Sequence, residues 1–329
     1  MKTISIITTC LTRAAMTLLM VCMTTVMHAG GFEGASNDNN KDNDDYGSAF
    51  SKPLTLYDHL DNTSVLNSGM GSEYDVTLSG YTLHLDGTWN TLCLPFTLKS
   101  LEGTPLEGFT VMEMDTENVI DGHKTGFEKG TLYINFKEAK SIEAGMPYLV
   151  RNNSLIAKDI TNPTFKNVTI NSSVPEKVSS GDGAVSFQGL FRPLVIAKSG
   201  DKTKLYIGED NMLHYPEISF NINAFRTYFQ MSTKLVNSNL GDVNGDGMIS
   251  VTDVTYLVDF ILGNDNSHFI IDNADVSWDG TISVTDVTAL VDMVLNGGDN
   301  SINIVVNTGD GTIIYDGGGS GPARIGSCH

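Results

Sequence analysis

Between Leu54 and Leu235 apolar residues recur at every second position, in short runs separated by turn formers. YTLHLDG from Tyr81, TLYINF from Thr131, PYLVRN from Pro147, FKNVTI from Phe165, AVSFQGLF from Ala184, KLYIG from Lys204 and SFNINAF from Ser219 all have this form. A period of two puts alternate side chains on opposite faces of an extended chain, so each run predicts a strand with one buried face. GEDN from Gly208, between LYI and MLHY, predicts a hairpin turn. WNTLCLPFTL from Trp89 is the most apolar run and predicts a buried strand. Pro95 marks an edge or bulge there, because proline cannot donate to a ladder. No long helical pattern competes, and so many closely spaced strands predict an antiparallel sandwich or jelly roll over residues 51–237.

The period changes over residues 238–298. Val254, Leu257, Val258 and Ile261 fall at i, i+3, i+4 and i+7, as do Val287, Leu290, Val291 and Val294, which predicts two short helices. Each follows a twelve-residue run, DVNGDGMISVTD from Asp242 and DVSWDGTISVTD from Asp275, and 15 of 22 aligned positions are identical. This is an internal duplication. Ser250 and Ser283 stand three residues before Asp253 and Asp286, the spacing of a capping box with Asp in place of Glu. KLVNSNLG and HFIIDNA, which lead into the two runs, have no helical stripe. The unit is a loop followed by one helix, used twice.

The twelve-residue spacing is that of an EF-hand calcium loop, in which oxygen side chains at alternate positions surround a hard cation. Asp242, Asn244 and Asp246 fill positions one, three and five, as do Asp275, Ser277 and Asp279 in the copy. Gly247 and Gly280 occupy position six, where the chain must turn sharply. Met248 and Thr281 offer backbone carbonyls, Ser250 and Ser283 reach the ion directly or through water, and Asp253 and Asp286 close the loops. Two calcium ions are expected.

These loop-helix repeats resemble the dockerin domain of cellulosome-type assemblies over residues 241–298. The resemblance implies a small α module that docks, with calcium, to a cohesin-like partner. It implies contacts at loop positions ten and eleven and at the helix middle: Val251, Thr252, Val258 and Asp259, with Val284, Thr285, Val291 and Asp292 in the copy. Many members carry basic residues in the helix middle, where this chain has Val-Asp twice. A purely structural calcium clip is the alternative, since small modules lack the core to fold unaided.

Composition adds the compartment. Residues 1–29 carry only Lys2 and Arg13 as charges around an apolar run from Ala14 to Val26, which predicts a secretory signal cut after Ala29. The run is shorter than the roughly 20 residues of a membrane span, so a secreted or cell-surface protein without membrane insertion is expected. Residues 30–50 are rich in Asn, Asp, Gly and Ser and predict a disordered leader. The chain has 20 Lys and Arg against 39 Asp and Glu, with no Lys or Arg from Leu235 to Ala323, which argues against nucleic acid as a partner. Cys93 in an apolar run reads as a small buried hydrophobe, and Cys328 as a terminal residue of no consequence. Residues 299–329 form a tail in which INIVVNTGDGTIIYDGG from Ile302 predicts a short hairpin about Gly-Asp-Gly.

The middle region has no nucleophile elbow, zinc-protease pair or phosphate loop. Glu107, Glu113, Glu117, Glu128 and Glu138 read as solvated strand ends, and His59, His84 and His214 are scattered. Tyr133, Tyr148, Tyr206, Tyr215, Phe225 and Tyr228 are candidates for stacking on sugar rings, although strand aromatics are more often core. The expectation is a non-catalytic protein that displays a β domain for carbohydrate binding. A polysaccharide-degrading, glycoside hydrolase-like enzyme is the alternative.

Overall fold

A computed structural model describes residues 51–315 apart from 129, 153–157, 197–201, 209, 217, 237–238, 265–267, 296, 298–301 and 310–313. The expected signal, the leader, and the end of the tail with Cys328 lie outside the described residues. The strands of the first half are β1 (Lys52–Tyr57), β2 (Glu73–Ser79), β3 (Thr82–Leu83), β4 (Asn90–Cys93), β5 (Thr110–Asp115), β6 (Gly126–Glu128), β7 (Thr131–Ala139) and β8 (Pro147–Arg151). Next come β9 (Ile160–Thr161), β10 (Thr164–Thr169), β11 (Lys177–Ser179), β12 (Val185–Gly189), β13 (Leu194–Ile196), β14 (Lys204–Ile207), β15 (Met212–His214), β16 (Phe220–Ile222) and β17 (Thr227–Met231). Helix α1 (Thr63–Gly69) lies between β1 and β2. Helices α2 (Val251–Ile261) and α3 (Val284–Leu295) follow β17, and strands β18 (Asn303–Asn307) and β19 (Ile314–Tyr315) come last.

The chain is mainly β, as the alternation predicts. One six-stranded sheet runs β18-β7-β5-β8-β4 with β6 beside β7, and another runs β11-β12-β17-β14-β15-β19. A core lies between them, with Leu132, Ile134 and Phe136 from one sheet and Val185, Phe187, Leu205 and Phe229 from the other. Phe187 and Phe229 face each other in register on β12 and β17, stack at 4.7 Å, and receive Phe136 edge-on at 5.5 and 6.2 Å. A second core under the three-stranded sheet β1-β2-β10 gathers Tyr81, Phe96, Phe165, Phe191 and Phe225.

Three pairings are parallel among mainly antiparallel sheets: β1 with β2, β18 with β7, and β15 with β19. A parallel pair needs a long crossover, and α1 supplies it between β1 and β2. Sequence reading passes over α1, which buries only Leu66 and Gly69 and so shows no stripe. The loop before it is held by Asn62, which is buried, donates to the carbonyls of Tyr57 and Leu60 and accepts from Tyr57 N–H. The alternating runs also leave out β5, whose TVMEMD carries no clean alternation, and several other strands, β1, β2, β11 and β13 among them.

The turn at Gly208 is a hairpin as expected, closed by Gly208 N–H to Met212 at 2.8 Å with Asn211 left-handed at φ 62°. β4 ends just before Leu94-Pro95 and is the last strand of its sheet, where a missing donor costs nothing. The expected tail hairpin does not form. β18 joins β7 and β19 joins β15, because Ile304 and Val306 gain burial in the sandwich core that pairing with each other would not give. Cys93 is free and buried, and burial pushes its thiol well above the usual range. Gly189 makes the room: a Cβ there would lie 2.3 Å from the Cys93 sulfur.

Phe187→Ala should cost about 3–5 kcal/mol, the range for deleting a buried aromatic ring. Denaturant unfolding of the β region checks this, and a loss under 1 kcal/mol would mean that the two sheets do not share this core.

Candidate metal centre

The two repeats fold against each other through equivalent residues. Val243, Leu257, Ala274, Val276 and Leu290 are buried, with Ile249, Val254, Ile282 and Val287 packed around them, so most members pair with their copy 33 positions on. Phe260 and Phe269 stack at 4.2 Å. Backbone bonds stitch the halves: Gly241 N–H to Asn273 O, Ile270 N–H to Val243 O, and the buried Asn273 amide to Asp242 O at 2.7 Å. No α-helix enters either loop among the described residues; a 3-10 turn over Ile271–Asn273 precedes the second.

Each loop draws three carboxylates together. Oxygens of Asp242, Asp246 and Asp253 lie within 4.8 Å of one another, and so do those of Asp275, Asp279 and Asp286. These are positions one, five and twelve. Asp253 and Asp286 are wholly buried. Asp253 accepts from Asn244 N–H with one oxygen and from Ser250 N–H with the other; Asp286 does the same with Ser277 and Ser283 at 2.8 Å each. The short closing side chain thus ties positions three and nine to the helix start. Ser250 and Asp253 form the expected capping box, Ser250 also accepts from Thr252 N–H, and Ser283 accepts from Thr285 N–H. The two hydroxyls are therefore engaged first as caps.

In the first loop Asp242 accepts from the N–H groups of Gly245, Asp246 and Gly247, and Asn244 accepts from Asp246 N–H. Gly247 and Gly280 are left-handed, φ 86° and 82°, with open space where a Cβ would stand, so position six needs glycine for its backbone and not for room. Met248 follows with an exposed side chain, and Met248 and Thr281 N–H groups donate to Asp246 and Asp279. The Thr281 hydroxyl and N–H hold the Asp279 carboxyl below its usual range.

The second loop differs at position four, where Trp278 replaces Gly245 and holds φ 65°. A bulky side chain in that region is strained by order 1–3 kcal/mol. Its ring meets Phe127 edge-on at 5.9 Å and lies 4.8 Å from the Lys234 ammonium, which also donates to Asp275. Lys234 is the last Lys or Arg before Arg324, and although the first loop is nearer in the sequence its contact is with the second. The signal for this contact in the sequence is the replacement of Gly by Trp at position four, one of three mismatches between the two loops.

Two observations fit these loops to a cation. Three like charges at this separation repel by roughly 3–4 kcal/mol per pair at an effective dielectric near 20. In the second loop a buried Asp275 oxygen and the buried Ser277 hydroxyl, positions one and three, have no hydrogen-bond partner. A hard divalent ion bound by oxygens answers both.

The predicted docking residues form two equivalent faces. Val251 and Val284 are each 69% exposed, and Val258 and Val291 each 36%. The last two fall off the buried helix stripe, which narrows to Leu257 and Leu290. Thr252, Thr285 and Asp292 are exposed beside them, while Asp259 accepts from Asn264 at 3.0 Å.

Residues 240–295 match the family model of the dockerin type I domain. No curated protein and no solved structure matches the chain. Dockerin domains bind calcium and dock to cohesin modules, and such proteins typically assemble outside the cell or at its surface. Among the described residues no helix is long and apolar enough to cross a membrane.

Titration calorimetry with calcium should resolve two sites of unequal affinity. Asp242→Ala removes one and Asp275→Ala the other, and Lys234→Met should tighten the weaker by about tenfold, near 1.4 kcal/mol. Equal sites unmoved by Lys234→Met would contradict the role given to that lysine. Chelation should lower the melting temperature of the module, since ligand binding to the folded state adds directly to its stability.

Proposed function

We propose that the chain is an exported, non-catalytic protein whose two calcium-filled loops, formed by Asp242, Asn244, Asp246, Met248, Ser250 and Asp253 and by Asp275, Ser277, Asp279, Thr281, Ser283 and Asp286, hold a docking module for a cohesin-like partner. The β region is the cargo it displays, with carbohydrate as the ligand class. The observation that carries the reading is the repetition of Val-Thr and Val-Asp at the same places on the two helices, with the valines at equal exposure. A calcium clip with no partner has no need of four exposed valines copied in register. Extracellular calcium would keep even sites with Kd of about 10⁻⁴–10⁻³ M filled, so the ions act as part of the fold.

Four of the five candidate glutamates have local partners. Glu113 pairs with Lys137 and Glu138 with Lys140, Glu107 accepts from Gly103 N–H, and Glu128 meets His123. Of the candidate stacking aromatics, Tyr148, Phe225 and Tyr228 are buried, and Tyr133 stacks on His123 at 3.8 Å, leaving Tyr206 and Tyr215 part-exposed.

The test is capture of a purified cohesin module by the full chain, with calcium and with chelator. Binding should vanish on chelation and return with calcium. Val251→Asp or Val284→Asp alone should leave affinity within a few-fold because the other face remains, while the double variant should lose it by about a hundredfold, roughly 2.7 kcal/mol, with both calcium sites retained. Capture that survives chelator, or a double variant that binds normally, would sink the docking reading.

A further inference from the structure

The β region has an open cleft of about 330 Å³, at the small end of the range for ligand sites, formed where Trp89 to Thr91, the end of β14, the β16 segment and the start of β17 meet. Its lining is mixed: the aromatic Tyr206 and Phe220 with the polar Asn221, Arg226 and Thr227. The two rings lie 4.7 Å apart and both are part-exposed.

Arg226 is the unusual member. Its guanidinium lies 4.1 Å over the buried ring of Tyr81, and it makes no ion pair and donates no hydrogen bond to any described residue. In a chain with 39 acids and 20 bases, a guanidinium beside a cleft lined by no carboxylate among the described residues is against the odds of composition. Thr227, next to it, is 2% exposed and its hydroxyl has no partner, an omission that costs about 1–3 kcal/mol. The residue before them, Phe225, holds φ 63° with its ring wholly buried. Its N–H donates to Leu190 O and its carbonyl accepts from Cys93 N–H, so the strained turn is fixed from both sides. That turn sets Arg226 and Thr227 on the cleft at the start of β17. Asn223 is partly engaged, since its amide nitrogen donates to Asp58 at 3.0 Å.

An unpaired planar fork of donors fits a carboxylate or a phosphate bidentately. The formal charge of −19 favours the singly charged carboxylate over a phosphate dianion. The orphan hydroxyl and the Asn221 amide suit hydroxyl groups, and the two rings suit the apolar face of a saturated ring. We propose that this cleft binds a sugar acid, its carboxylate on Arg226 and its hydroxyls on Thr227 and Asn221. The proposal rests on the reading of the β region as a carbohydrate-binding cargo and names its site and ligand class.

The test is titration of the full chain, calcium present, with D-galacturonate, D-galactose, acetate and inorganic phosphate, followed by calorimetry and tryptophan fluorescence, Trp89 being in the lining. Galacturonate should bind about tenfold or more tighter than each of the other three, a difference near 1.4 kcal/mol. Arg226→Gln should erase that preference, and Thr227→Val should weaken galacturonate several-fold. Arg226→Lys, which keeps the charge and the stem over Tyr81 but not the fork, should lose most of the binding and serves if the Gln variant does not fold. Galactose or phosphate binding as tightly as galacturonate, acetate doing so, or affinity unchanged in Arg226→Gln or Arg226→Lys would each overturn the proposal. Galactose binding that ignores Arg226 would spare the carbohydrate reading while removing this cleft from it. Cohesin capture by the same variants reads docking separately.

Discussion

The C-terminal module is organised around a repulsion. Three carboxylates are drawn within 4.8 Å of each other in each loop, and one of each three is fully buried. No hydrophobic gain in so small a core would hold that arrangement unaided, because five buried apolar residues make up its centre. The chain therefore spends its backbone on the aspartates. Loop N–H groups converge on Asp242, and one oxygen of Asp253 and of Asp286 is bonded to each side of the loop it closes. What the backbone leaves over, a bare oxygen of Asp275 and the Ser277 hydroxyl, is where a cation belongs.

This part of the molecule was legible because its chemistry is local. A calcium loop is a fixed spacing of oxygen donors about one glycine, and a duplicated spacing is hard to obtain by accident. The exit helices and the capping serines follow the same short-range logic. The β region was legible only as strands. Its parallel pairings join segments far apart in the sequence, and nothing in NIVVN or TIIY says which sheet edge will take it. The Gly-Asp-Gly turn favoured a hairpin on local grounds, and the burial of Ile304 and Val306 against Leu132 and Phe136 outweighed it.

The same division explains what went unnoticed at Lys234 and Trp278. Read along the chain, one is an isolated base and the other a mismatch between repeats. In space they meet over Asp275 and Phe127, the point where the second loop touches the β region. The two loops share most of their residues, and only the second has Lys234 against it. Arg226 and Thr227 were likewise invisible, since neither belongs to a motif and their significance lies in partners they do not have.

β18 bears on how the molecule would carry load. The chain leaves the β region after β17, runs through both loops and helices, and comes back to pair in parallel with β7. A module joined at one end would swing on its connection, and tension on it would reach the β region through a single strand of peptide. Here the chain is paired into a sheet on either side of the module, by β17 before it and by β18 after it, so tension on the helices would be divided between two sheet connections. Held this way, the helices behave less like a tag on a string than like a handle riveted to the body it lifts.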